Sequence, residues 1–352
     1  MKTSRLYLDH AATTPILPEA RTAVAEGMAR WANPSSPHAE GRAARAALEE
    51  ARTRIKAALG WDHHLIFTSG ASEAIALALT RTQADAVFVS ATEHDAVHRV
   101  RGDAYFIDVG KDGRMHADAL IGRLAALGAK MPLVAVQAAN NETGVLQPLD
   151  DLVPVVRKAG GLFFADCAQS AGKLPLPDAD LIAVSAHKLG GPPGIGALLV
   201  RDLGVLGAVG GQEQGYRPGT ENLPGALGFA AACEDNRSWM ARAGDLRAHL
   251  DSAIVAAGGK VVARTAPRIA TIASYLMPGV ASTTQLIQFD MAGIAVSAGS
   301  ACSSGTIKPS HVLKAMGWSD AEAGQVVRVS FGPETSRADV YRFIDVWKRI
   351  KG

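Results

Sequence analysis

Residues 181–200 read LIAVSAHKLGGPPGIGALLV. Two apolar runs of strand length, Leu181–Ser185 and Ala197–Val200, flank a short polar segment and a connection rich in glycine and proline. Working outward, similar runs recur at Leu65–Thr68, Ala86–Ser90, Ala104–Asp108, Leu133–Gln137 and Leu162–Asp166. Stretches with helical periodicity, such as Ser72–Thr80 and Asp118–Leu127, lie between them. Strand–helix alternation of this kind predicts an α/β domain built on a mostly parallel sheet buried on both faces. After about residue 235 the texture changes. A long helix, Ser238–Ala257, leads into strands Lys260–Arg264 and Ile269–Met277, then a helix Thr283–Ala292 and a short strand Ile294–Ser297. A Gly/Ser loop and two further helices follow, so a second, smaller α+β domain is expected.

With 352 residues the chain has ample length for one large domain and a smaller one. Hydrophobic residues make up 48% and charged residues 20%, the balance of a soluble globular protein. A net charge of +2 gives no reason to expect nucleic acid or an anionic membrane as partner. No apolar run approaches the roughly 20 residues of a membrane span, and Met1–Asp9 lacks the apolar stretch of a signal peptide. The three cysteines, Cys167, Cys233 and Cys302, are odd in number and widely spaced. That argues against a disulfide framework or a metal cluster and for a reducing compartment, with the cytoplasm expected.

Three constellations carry chemistry. Lys188 follows the strand Leu181–Ser185, where ligands of open α/β sheets bind. The glycines come after the lysine, so the stretch fits neither a dinucleotide fingerprint nor a Walker loop. A lysine partly desolvated there can form a Schiff base, although a surface lysine before a turn is the bland alternative. Asp166 ends another strand, with Gln169 just beyond. A carboxylate at that place can hold a pyridinium nitrogen protonated, and the competing reading is an ordinary helix cap. In Thr68-Ser69-Gly70-Ala71-Ser72-Glu73 a strand turns into a helix whose first amides form a phosphate cradle, unless Ser69 or Ser72 is merely a cap. Lysine, aspartate and cradle at three strand ends together describe a pyridoxal-phosphate site.

With those residues in view, the chain resembles the NifS/IscS-type cysteine desulfurases of the class V aminotransferase group over nearly its whole length. The matching segments are YLDHAATTP (7–15), NPSSPH (33–38), FTSGASE (67–73), TEHDAV (92–97), NNETG (140–144), DCAQSAG (166–172), residues 185–196, RPGTEN (217–222), SAGSACSS (297–304) and VRVSFG (327–332). The resemblance implies an aspartate aminotransferase-like, type I pyridoxal-phosphate transferase fold with a seven-stranded sheet. It implies a large domain over 15–237, and a small one formed by 1–14 and 238–352 that carries the cysteine loop.

By the same resemblance Lys188 holds the cofactor, Asp166 pairs with its ring nitrogen, and His94 stacks on the ring and assists proton transfer. Gln169 and Asn141 match groups near the phenolic oxygen, while Ala71, Ser72, Ser185 and His187 match the phosphate set. Thr220 matches a phosphate contact given by a neighbouring subunit, which implies a homodimer. Arg328, at the end of a strand Val326–Phe331, matches the arginine that grips the carboxylate of L-cysteine, helped by Asn141 and Asn33; a bidentate pair is why arginine suits the task. Cys302 matches the thiol that takes the sulfur, becomes a persulfide and passes it to an acceptor in iron–sulfur cluster assembly or tRNA thiolation, with iron–sulfur ligation by Cys302 a conceivable part of transfer. No catalytic role is implied for Cys167 or Cys233.

Two alternatives stay open from sequence: a selenocysteine lyase or other class V enzyme, and a non-catalytic sulfur-assembly partner on the same fold. The chain departs from the pattern at Ser72, where threonine is usual, and at Ala74-Ile75-Ala76. It ends at Gly352 without the extension that relatives use to dock a scaffold protein, so the acceptor is not fixed by the sequence.

Overall fold

The computed structural model describes residues 5–235, 237–299 and 310–352. In chain order its strands are β1 (Leu6–Tyr7), β2 (His64–Thr68), β3 (Ala86–Ser90), β4 (Tyr105–Ile107), β5 (Pro132–Gln137), β6 (Leu162–Asp166), β7 (Leu181–Ser185), β8 (Gly196–Val200), β9 (Lys260–Val261), β10 (Ile272–Leu276), β11 (Ile294–Ala295) and β12 (Val326–Ser330).

The large sheet has seven strands in the order β2-β8-β7-β6-β5-β3-β4. Strands β7, β6, β5, β3 and β4 run parallel, joined through helices such as Ala117–Leu127 and Leu149–Lys158. Strand β8 is antiparallel to both neighbours, β2 and β7. The reason lies in the quoted stretch: residues 186–195 are too few for a crossover helix, so the chain turns back beside the strand it has just left. Every residue of β3, β7 and β8 is buried, and their side chains alternate between two apolar layers. Phe163, Ile182 and Leu199 face one layer with Leu48, Ile55 and Phe229; Phe164, Leu181 and Leu198 face the other with Ile75 and Leu79.

A three-stranded antiparallel sheet, β12-β10-β9, forms a second centre, with β1 paired in parallel to β11 nearby. Its core holds Tyr275, Phe289, Phe343 and Trp347, with the rings of Phe289 and Phe343 stacked at 4.8 Å. A capping box of Ser336 and Asp339 starts the helix Arg337–Lys351 that supplies two of these rings.

Some strands are shorter than the apolar runs predict. Strand β9 stops at Val261 because Ala263 takes a left-handed backbone (φ 49°) and turns the chain away. Strand β10 begins at Ile272, not at Ile269, whose N–H is spent on Gly144 O. Arg328 lies in the middle of β12, paired with Ser274, and not at a strand end.

From β1 the chain crosses to the large sheet. Asp9 pairs with Ser330, Ala11 N–H donates to Ser330 Oγ (2.8 Å), and Thr14 N–H donates to His187 O (2.9 Å). This arm ties the two sheets together beside the ends of β6 and β7.

Candidate active site

Parallel strands β6 and β7 are neighbours, so their C-terminal ends open on the same side. Asp166 is the last residue of β6; β7 ends at Ser185 and passes directly into a tight turn, Ala186–Lys188. One cavity of about 420 Å³ receives both ends. Its walls include Ala71, Ser72, His94, Asn141, Asp166, Gln169, Ser185, His187, Lys188 and Arg328, residues drawn from widely separated parts of the chain.

The Lys188 ammonium reaches across to the arm, donating to Ala11 O (2.5 Å) and Ala12 O (2.8 Å). Gln169 Nε2 donates to the same Ala11 O (2.9 Å), while its Oε1 is buried with no partner among the described residues. Burial pushes the Asp166 carboxyl above its ordinary value, against the opposing pull of the Ala168 N–H (2.9 Å to Oδ1) and the charges of His94 and Lys188. A cation placed against this carboxylate would offset the cost of its burial.

His94 has two roles in the structure. It caps the helix Asp95–Val100, accepting Ala96 N–H at Nδ1 (3.1 Å), and it lines the cavity. Burial lowers its pKa, with Lys188 and His311 adding to the effect and Asp166 opposing it, so the ring is a neutral imidazole with its proton on Nε2. Behind it, fully buried Glu93 accepts Gln137 N–H (2.8 Å) at one oxygen and has no partner among the described residues at the other; burial raises its carboxyl well above the ordinary value.

The turn after β2 has the form of an anion cradle. The helix Ala71–Arg81 is capped by Gly70 (φ 151°) with no side-chain hydrogen bond, so the reading of Ser69 or Ser72 as a plain cap fails. Ser72 faces the cavity with its hydroxyl uncommitted to the helix. Gly196 is the residue that lets this turn approach β7: a methyl group there would lie 2.5 Å from Val184 O and 2.7 Å from Gly70 Cα. Glu73 accepts Ser69 N–H (2.5 Å) and Arg217 Nε–H (2.8 Å), fixing the turn from the solvent side. His187 Nδ1 lies 3.1 Å from Thr13 Oγ1, and burial followed by the Lys188 charge depresses its pKa to about 4.

At the opposite end of the cavity Arg328, only 7% exposed, donates from Nη2 to Asp9 Oδ1 (2.8 Å) and from Nη1 to Asn141 O (3.0 Å). Its Nε is buried and has no partner among the described residues.

The family model for aminotransferase class-V matches residues 6–343. The chain belongs to this family, in its NifS/IscS-type cysteine desulfurase group. The cysteine desulfurase of Gluconacetobacter diazotrophicus is 36% identical, the similarity covering 98% of this chain and 93% of that protein. A cysteine desulfurase of Cereibacter sphaeroides is 35% identical over 97% of this chain and 94% of the relative. A solved NifS-like protein from Rickettsia africae superposes with a TM-score of 0.90 at 29% identity, covering 98% of this chain and 99% of its own. The structure of SspA in complex with cysteine superposes with a TM-score of 0.80 at 27% identity, covering 94% and 100% of the two chains. The fold is therefore the type I pyridoxal-phosphate transferase fold that the resemblance implies.

Most residues that the family resemblance singles out meet in the cavity. Asn33 and Thr220 do not: both are exposed and neither lines it, Asn33 Oδ1 accepting Ser35 N–H (2.9 Å) within its own loop. Cys302 lies outside the described residues. Cys167 and Cys233 are buried free thiols, pushed by burial up to about 12, unfit to act as thiolates. Sequence reasoning missed Asp9, the carbonyls of Ala11 and Ala12, Glu93 and His311, whose Nε2 lies 2.8 Å from Glu93 O. Asp9 sits within a recognised segment, yet nothing in its spacing shows that it faces Arg328.

Proposed function

We propose that the chain is a pyridoxal 5'-phosphate-dependent cysteine desulfurase, converting L-cysteine to L-alanine and leaving the sulfur as a persulfide on Cys302. The observation that carries this reading is the convergence of Lys188, Asp166 and Arg328 on one cavity from β7, β6 and β12. The residues fit the cofactor. Gln169 offers a buried polar atom with no partner among the described residues, Asp166 a buried carboxylate suited to a ring nitrogen, and the Gly70 turn a helix start that no side chain caps, open to a phosphate. Ala71, Ser72, Ser185 and His187 would hold the phosphate, Asn141 and Gln169 the phenolic side, His94 the ring face, and Lys188 the aldehyde carbon. When bound, the cofactor supplies an electron sink for the substrate carbons.

The protein's own residues do the rest. Arg328 fixes the α-carboxylate of cysteine, with Asn141 and Asn33 beside it, and so aims the Cα–H towards Lys188. Lys188 Nζ as free amine takes that proton. The Cys302 thiolate forms a bond to the substrate sulfur as the Cβ–S bond breaks; the bond electrons stay with the substrate carbons, which take a proton and leave as alanine. Cysteine and enzyme thiol thus become alanine and enzyme persulfide, with atoms and electrons balanced. Thr220 serves the neighbouring subunit of a homodimer. Residues 15–237 and 1–14 with 238–352 act as the two domains, and the acceptor belongs to iron–sulfur assembly or tRNA thiolation in the cytoplasm.

Replacing Cys302 by Ala should abolish sulfide release from cysteine while the visible absorption of bound cofactor persists. Full sulfide release by that variant would sink the role of Cys302, and loss of no colour on replacing Lys188 by Ala would sink that of Lys188.

A further inference from the structure

The guanidinium of Arg328 is already engaged. Asp9 Oδ1 takes one Nη2 proton at 2.8 Å and Asn141 O takes one Nη1 proton at 3.0 Å, while Nε is buried with no partner among the described residues. Asp9 does not line the cavity and Arg328 does, so the carboxylate stands behind the arginine as seen from the substrate space. The backbone holds it there: Asp9 pairs with Ser330 of β12, and its carbonyl accepts the Tyr7 hydroxyl at 3.1 Å. The pair is poorly hydrated, with 9% of the Arg328 side chain and 20% of the Asp9 side chain exposed.

Two consequences follow from elementary electrostatics. In the empty pocket Asp9 removes the cost of an unpaired guanidinium away from water and keeps it aimed. Once a substrate carboxylate arrives, one guanidinium serves two carboxylates, whose mutual repulsion is weakly screened at this depth. The α-carboxylate is common to cysteine and alanine, so the penalty falls on substrate and product alike.

We infer that Asp9 is a built-in brake on carboxylate binding: a resident counter-ion that weakens the grip of Arg328 and thereby hastens release of the amino-acid product. The inference rests on the reading of Arg328 as the carboxylate anchor of a desulfurase. Weak, uniform binding of this kind raises KM and spares turnover from product that lingers.

The test is alanine affinity in the holoenzyme, read from the visible absorption of bound cofactor as L-alanine is titrated, together with steady-state kinetics on cysteine. Asp9→Asn keeps an oxygen for Nη2 and removes the charge. It should bind alanine on the order of tenfold tighter and lower both KM and kcat. Asp9→Glu, which keeps the charge, should show no tightening. Unchanged or weaker alanine binding in Asp9→Asn, or equal tightening in Asp9→Glu, overturns the brake. Should Asp9→Asn fail to give folded holoenzyme, Asp9→Ser carries the same expectation. Arg328→Gln separates the two levels of the argument. Wild-type alanine affinity in that variant refutes the anchor itself, whereas lost affinity there with no tightening in Asp9→Asn refutes only the role of Asp9.

Discussion

His10 and His187 flank the arm that ties the two sheets, and both titrate far from their ordinary value. Burial, with Lys173 adding, brings His10 down to about 4; its ring lies so close against Gly332 that a methyl group there would meet Cε1 at 2.0 Å. Burial and Lys188 bring His187 to about 4. In the unfolded chain both rings take protons near 6.5. Between about 6.5 and 4 the unfolded state therefore binds more protons than the folded one. Stability is full above that window and is lost as pH falls through it. The better-buried His10 contributes up to about 3 kcal/mol to the loss, and the partly exposed His187 a good deal less, because solvent screens it. Urea unfolding of cofactor-free protein from pH 8 to pH 4 should show this slope, and His10→Asn should flatten it; an unchanged slope would remove His10 from the account.

The tight turn between β7 and β8 works at the scale of the element. It reverses the chain, sets Lys188 at the mouth of the sheet, and returns through Gly196 against the Gly70 turn. A side chain at Gly196 has nowhere to go, because the atoms it meets are backbone on both sides. Gly196→Ala should push the Gly70 turn outward, costing about 1–3 kcal/mol of stability. Because the cradle itself moves, cofactor affinity should fall at least tenfold. Cofactor titration by visible absorption, alongside a thermal melt, checks both; intact affinity with lowered stability would show that the turn tolerates displacement.

The whole molecule presents features that one chain leaves unused. Thr220 is exposed on a loop away from the cavity, and Trp31 and Met28, at 79% and 69% exposure, stand at the end of the helix Pro18–Ala29 beside Asn33. Exposed apolar residues of that size mark contact surfaces. The holoenzyme should sediment at about twice 36.6 kDa, and Trp31→Glu should shift it towards the monomer. Mixed dimers of Lys188→Ala and Thr220→Ala subunits should recover activity above either parent, since one of their two sites has both residues intact. No recovery would place Thr220 in the site of its own subunit.

The sequence by itself determined the strands of the large sheet, because β3, β6 and β7 are apolar runs bounded by polar or small residues at the observed limits. It also pointed to Lys188, Asp166 and the Gly70 turn, since each lies at or just beyond the end of a strand in a sheet whose strand ends bind ligands. Resemblance added His94 and Arg328, but spacing did not show that Arg328 sits mid-strand or what it touches. Those facts depend on register between β12 and β10 and on the arm that brings Asp9 across from β1 to partners some 320 positions away. Local pattern reports which face of an element is apolar; which charge meets which across the fold is decided only when the layers pack. The pairing of Asp9 with Arg328, the grip of Ala11 and Ala12 on Lys188, and the burial that sets His187 belong to the tertiary structure alone.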